Sequence, residues 1–282
     1  MSPRPETVTG LHTEPALAST VLTWDALGWD PLIDHYRIYG IAGDSAPSGD
    51  PREDDLLAKT VYPRFVHDGL DPAGEAWTYR VLAVSDAGRR AKPSAPITGT
   101  SLPSVTATGR EIATIGAFDG RTLEHLLAPS GYASIPEQYP EALIEFVQGA
   151  DDPGSDWPYL LPGPGDAWAG KKAYRARWTV TLEGAPAQDH DLAVWLVDTT
   201  RLGGILRVSA NGEVVTDIEL PRGATRGSRE GDATLPGSTL LRSFHEPAIP
   251  AGLLQAGENV IELELAEGGW VAWDAVGLFA RE

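Results

Sequence analysis

Residues Glu258–Leu265 read ENVIELEL, with Ile261, Leu263 and Leu265 alternating against Glu262 and Glu264. Strict alternation of apolar and charged residues places one set on each face of an extended chain, so this is a strand with one face buried and one wet. The same period recurs in ARWTVTL, where Trp178, Val180 and Leu182 share a face, and in VLTW (21–24), HYRIYG (35–40) and WTYRVLAV (77–84). GILRVSANGEVV carries the Asn211-Gly212 pair of a tight hairpin turn. GWDP, GDSAPSGDPRED and DPAGE supply turn chemistry between strands, and the last strand is GWVAWDAVGLFA. Helical patterns are weak: PEQYPEALIEF is short and broken by Pro, and PAGLLQAG spans about one turn.

The composition agrees. With 23 Pro and 31 Gly in 282 residues, 42% apolar and 22% charged, the chain has the make-up of many short strands and turns. Its length suits two domains of ordinary size. TSLPSVTATGRE (100–111) is rich in Ser, Thr and Pro and lacks periodicity, so it is the expected linker, dividing the chain into 1–104 and 105–282. The expectation is an all-β protein of two β-sandwiches.

A net charge of -18 repels phosphate backbones and anionic lipid, which argues against nucleic acid and membrane as partners. No run of about 18 apolar residues occurs. Without Cys there is neither a disulfide nor a thiolate site. The stretch MSPRPETVTGLHTEPAL has no apolar signal core, so a full-length chain is expected in the cytoplasm, and a fragment of a longer chain is expected to be secreted. No His-x-His or His-Glu-x-x-His spacing supports zinc among the six His. No cofactor is expected; 40 acidic residues leave room for a structural Ca²⁺ held by loop carboxylates, although no spacing specifies one.

Two resemblances emerge from these residues. Trp24 in LTWDAL, Tyr36 and Tyr39 in YRIY, and Leu70 through Tyr79 in LDPAGEAWTYRVLAVSDAG resemble a fibronectin type III module over about residues 5 to 100. The ordered series TIGAFDGRTLEH, LIEFVQGADDPGSDWPYLL, RWTVTLEG, DLAVWLVDTTRLGGILRVSANGE, IPAGLLQAGENVIELEL and GWVAWDAVGLF is similar to the C-terminal domain of rhamnogalacturonan lyases of the polysaccharide lyase family 4 type, over nearly all of residues 112 to 280. That resemblance implies a jelly-roll, galactose-binding-like sandwich regarded as carbohydrate-binding and preceded by a fibronectin-like module. The family's catalytic domain, with its Lys and His for β-elimination, has no counterpart in this chain, so no catalytic residue carries over.

Candidate contact residues follow from chemistry. Asp156–Trp178, DWPYLLPGPGDAWAGKKAYRARW, gathers three Trp, two Tyr, two Lys and two Arg around a Gly-Pro-Gly turn. Aromatic rings offer flat apolar area to the C–H faces of sugars while carboxylates and cations take their hydroxyls and acid groups. Tyr159, Asp166, Trp168 and Lys171 are the candidates there, with Trp157 read as packing. Arg226 and Arg229 in ATRGSREGDATLPGS suit a carboxylate or phosphate, or else form a solvated loop. Arg201 of Asp198-Thr-Thr-Arg201 is placed to reach the same surface, while Asp198 orders the turn before Gly203-Gly204. In the last strand Trp273 is in phase with Val271 and Phe279, and Trp270 with Asp274, so one Trp is core and the other is free to face a ligand; Asp274 reads as a buried carboxylate tied to backbone donors.

The favoured reading is non-catalytic recognition of a carbohydrate of pectic or rhamnose- and galactose-containing type. Two rivals stand beside it. One is a lyase or glycoside-active enzyme with its site between the domains, which a cluster of His125 or His245 with Lys171 and an Asp would favour. The other is a structural accessory docked on a separate catalytic protein, which an exposed apolar patch would favour.

Overall fold

The computed structural model describes residues 3–28, 32–45, 49–223 and 240–281. The chain divides into two compact units, residues 1–107 and 108–282. Both are built from mainly antiparallel sheets packed face to face, as the alternating segments require.

The first unit is a fibronectin type III-like sandwich. One sheet runs β1 (His12–Ala16), β2 (Ser19–Thr23), β5 (Arg64–His67), and the other β4 (Leu56–Thr60), β3 (Ile33–Ala42), β6 (Ala76–Ser85), β7 (Ile97–Thr100). Leu22, Trp24, Tyr36, Ile38, Tyr79 and Val81 fill the space between them. Trp24 meets Tyr36 edge to face at 5.3 Å, and the Tyr36 hydroxyl accepts the Leu27 N–H at 3.0 Å. Tyr39 lies on the opposite face of β3, beneath the Arg37 guanidinium at 5.6 Å from the ring centre.

The second unit pairs a five-stranded sheet with a six-stranded one. The first is ordered β14 (Glu213–Leu220), β13 (Gly204–Ala210), β17 (Gly257–Gly268), β11 (Arg175–Leu182), β9 (Leu143–Val147). The second is ordered β10 (Leu160–Pro162), β18 (Trp270–Ala280), β12 (His190–Thr199), β15 (Ser243–His245), with β8 (Arg110–Gly116) on β18 and β16 (Ala248–Ile249) on β12. Trp157, Trp178, Trp273, Tyr174, Ile144 and Leu161 are buried in the core between them. Trp157 packs against Phe146 at 5.9 Å and Trp273 at 5.7 Å, the corner that its packing role predicts.

Two details depart from the sequence reading. Only Ile135–Gln138 of the weak helical stretch is helical; LIEFV is β9, parallel to β11, with Ile144 and Phe146 inward and Glu145 and Val147 outward. The alternation had been masked by the preceding Pro residues. The second concerns phase in the last strand. The β12–β18 ladder slips between Trp273 and Ala275, so Asp274 forms a bulge and the inward set switches from Val271 and Trp273 to Val276 and Leu278. Phe279 therefore leaves the face that Trp273 occupies and packs outside with Phe118 at 6.0 Å.

The Asn211-Gly212 hairpin forms as expected, with both residues at positive φ (51° and 87°). The Asn211 side chain also ties the turn to β17, donating to Asn259 Oδ1 at 2.9 Å and accepting the Val260 N–H at 2.8 Å.

The bulge gives Asp274 its partners. Its Oδ1 accepts the backbone N–H groups of Asp119, Gly120 and Arg121 at 3.2, 2.7 and 3.1 Å, and its carbonyl accepts His125 Nε2–H at 2.9 Å. Burial pushes the Asp274 carboxyl up to about 7 against the pull of those donors, with the Asp119 charge acting in the same direction as burial. The folded chain thus keeps this proton well above the ordinary Asp value of about 4, so its contribution to stability is full below about pH 4 and lost as pH rises through about 7. Asp274→Asn retains the acceptor and removes the titration. Urea unfolding at about pH 5 and about pH 8 is expected to show wild type losing more stability than the variant as pH rises; equal losses would rule out Asp274 as the source.

Candidate ligand end of the second sandwich

β10, β12, β14 and β17 end, and β11, β13 and β18 begin, at the same end of the second unit. Residues 163–174, 200–203, 221–223 and the turn at 268–269 are thereby brought side by side. Backbone bonds join them: Gly163 and Gly165 donate to the carbonyls of Gly269 and Gly268 at 2.6 and 2.7 Å, Thr200 to Trp270 at 3.2 Å, and Gly223 to Thr200 at 2.9 Å. A Cβ on Gly163 or Gly165 would lie 2.7 or 2.8 Å from the Gly268 carbonyl oxygen, so only glycine permits this approach.

Asp166 shapes the loop that follows. Its Oδ1 accepts the Trp168 N–H at 2.8 Å, its Oδ2 accepts the Tyr132 hydroxyl, and its carbonyl accepts the Lys171 N–H at 2.8 Å. Burial raises its carboxyl above the usual range, opposed by the backbone N–H groups of Trp168 and Ala169. Trp168 itself is 80% exposed, an unusual position for an indole. Beside Gly165 lies the 200–203 turn, whose Leu202 is 58% exposed and would touch a Cβ on Gly165 at 3.2 Å.

Charge collects at the same end. Arg201, Arg222 and Lys171 are exposed and form no ion pair among the described residues. Lys172 Nζ donates to the Pro140 carbonyl at 2.7 Å. Elsewhere in the unit Arg177 pairs with Glu262 and Glu145, Arg207 with Asp217, and Arg281 with Asp191. Unpaired guanidinium and ammonium groups flanking an open ring can take a carboxylate and the hydroxyls around it.

The sequence candidates divide accordingly. Trp168, Lys171 and Arg201 are on the open surface, and Trp270 is half-buried at its rim. Tyr159 must be corrected: it is 3% exposed, in the core beside Trp157, and presents no ring face to a ligand. Asp166 is also reassigned, because both its oxygens are occupied in holding the loop. Asp198 lies fully buried within β12, and the turn is ordered by Thr200, whose carbonyl accepts the Gly203 N–H at 3.0 Å. Arg226 and Arg229 lie outside the described residues. Tyr132, Leu202 and Arg222 escaped the sequence reading. For Leu202 the signal was available: an apolar residue in an Arg-Leu-Gly-Gly turn is placed where no core can bury it.

The histidines are distributed otherwise. Burial lowers both His125 and His245, the latter to about 4, and no hydrogen bond or ion pair links either to Lys171 among the described residues.

The family model described as CBM-like, polysaccharide lyase family 4, domain III, matches residues 111–278. The chain belongs to this family. The CBM-like match covers all the loops described above. No curated protein matches the chain. Among solved structures it is similar to the twitchin kinase region from C. elegans (21% identity, 44% of this chain and 23% of that one, TM-score 0.30). It is also similar to a fibronectin type III domain of human fibronectin type III domain containing protein 3 (13%, 38% and 95%, TM-score 0.30) and to the Yersinia enterocolitica family 28 exopolygalacturonase (18%, 35% and 21%, TM-score 0.28). The chain spans under a quarter of the twitchin region.

Two tryptophans of the CBM-like unit, Trp157 and Trp168, differ in a measurable way. Trp157→Ala empties a core site and is expected to cost about 3–5 kcal/mol in urea unfolding, whereas Trp168→Ala is expected to change stability by less than about 0.5 kcal/mol. Asp166→Ala leaves the Trp168 N–H and the Tyr132 hydroxyl without their acceptor; with fluorotryptophan incorporated, the Trp168 resonance should broaden and shift. A resonance unchanged by Asp166→Ala would show that the glycine contacts alone hold the loop.

Proposed function

We propose that the CBM-like unit recognises carbohydrate at this loop end, with Trp168 as the stacking surface and Arg201, Arg222 and Lys171 as the polar and ionic contacts. The reading rests on one observation: an indole 80% exposed to solvent, on a residue whose own backbone N–H is held by the Asp166 carboxylate. Leaving so large an apolar ring in water costs free energy that a partner's C–H face recovers. Three cations without ion pairs among the described residues, on loops of the same end, favour a ligand that carries carboxylates, and a pectic glycan containing uronate residues meets that description. By sequence alone, Arg226 and Arg229 extend the same proposal. The Asp166–Tyr132 pair holds the loop that carries Trp168, and Trp270 adds a half-buried indole at the rim. The proposed role is recognition, with chemistry left to another protein or domain.

Calorimetry against a panel of neutral and uronate-containing oligosaccharides tests this, on wild type and Trp168→Ala, with the absorbance of unsaturated uronates followed in the same samples. Wild type is expected to bind uronate-containing members with affinity reduced about tenfold or more by the substitution, and by added salt in proportion to the charges engaged. Binding that survives Trp168→Ala unchanged would move the site away from this end. A rise in absorbance would reveal an eliminating enzyme.

A further inference from the structure

Exposed aromatic area is unevenly distributed over the CBM-like unit. The five-stranded sheet offers no ring outside. Phe146 and Trp178, the aromatic residues of its strands, point inward and are buried, and its outer face is crossed by the ion pairs of Arg177 and Arg207. On the six-stranded sheet the outward rings are engaged with each other. Trp195 and Phe279 are buried, and Phe118 and Phe244 lie 5.1 and 4.6 Å from Trp195. Among the described residues of this unit, Trp168 is the one aromatic side chain that is largely exposed.

One ring sets the length of ligand that can be held. An indole covers about the area of a single pyranose ring, and every further sugar residue held by stacking needs a further exposed ring in line with the first. The loop end has none among the described residues, and the Leu202 turn rises against Gly165 on one flank. We infer that the site holds a single sugar residue, at a chain terminus or in a short oligosaccharide, rather than a run of residues along a polysaccharide. This deepens the carbohydrate reading above and rests on it. Residues beyond the one on Trp168 gain no stacking contact.

The experiment is a chain-length series by calorimetry on the whole chain, wild type and Trp168→Ala. The probes are mono-, di-, tetra- and octasaccharides of galacturonate, of galactose, and of alternating rhamnose and galacturonate. In whichever series binds, the dissociation constant is expected to stay within about threefold from disaccharide to octasaccharide, and Trp168→Ala to weaken every length alike. An affinity that climbs about tenfold or more with length would overturn the single-residue site while leaving carbohydrate recognition standing. No heat in any series would overturn both. A second arm uses an immobilised polymer of the series that binds, before and after partial cleavage. Bound protein should rise with the number of chain ends, and capacity that stays constant as ends multiply would also overturn the inference.

Discussion

The contact on which the ligand end depends is made by backbone alone. Gly163 and Gly165 lie against Gly268 and Gly269 with no room for a side chain between them, and their N–H groups close onto the facing carbonyls. That contact ties the start of the 163–174 segment to the turn between β17 and β18, so the loop leaves the sandwich in a set direction. Asp166 then fixes the next turn, and Trp168 emerges where neither sheet can cover it. Rigidity matters here because a stacking residue that must first be ordered loses part of its binding free energy to that ordering. The glycines and Asp166 meet that cost during folding.

Electrostatics add a second layer to the same arrangement. The chain has 22 basic and 40 acidic residues, and its strand-borne arginines are the ones most often paired. Arg37, Arg90, Arg177, Arg207 and Arg281 each have a carboxylate within ion-pair distance, and those on the strands of the five-stranded sheet form rungs across it. Arg201, Arg222 and Lys171 differ because they stand on loops past the strand ends, where no neighbouring strand brings an opposing side chain.

Much of the fold was legible because it is local. Period-two alternation marked the strands, Asn211-Gly212 marked its hairpin, and spaced aromatic and glycine signatures pointed to two sandwiches in the observed order. What stayed hidden was non-local. The slip at Asp274 reverses the inward phase within one strand, and no periodicity within the strand announces it. Tyr132 reaches Asp166 across 34 residues, and the loop end assembles only because β18 pairs with both β10 and β12. Tyr159 was misread for a different reason: beside a Gly-Pro-Gly turn it looked like loop, whereas Tyr159, Leu160 and Leu161 are all buried, on both faces of their strand.

The exposure of Trp168 has an optical consequence. Trp157, Trp178, Trp195 and Trp273 are buried and sheltered from soluble quenchers, so the fluorescence that iodide or acrylamide can reach is dominated, within the CBM-like unit, by the indole at the ligand end. Occupation of that ring moves its emission to the blue and shields it from collision. The molecule therefore carries a built-in reporter at its proposed site, readable without any label.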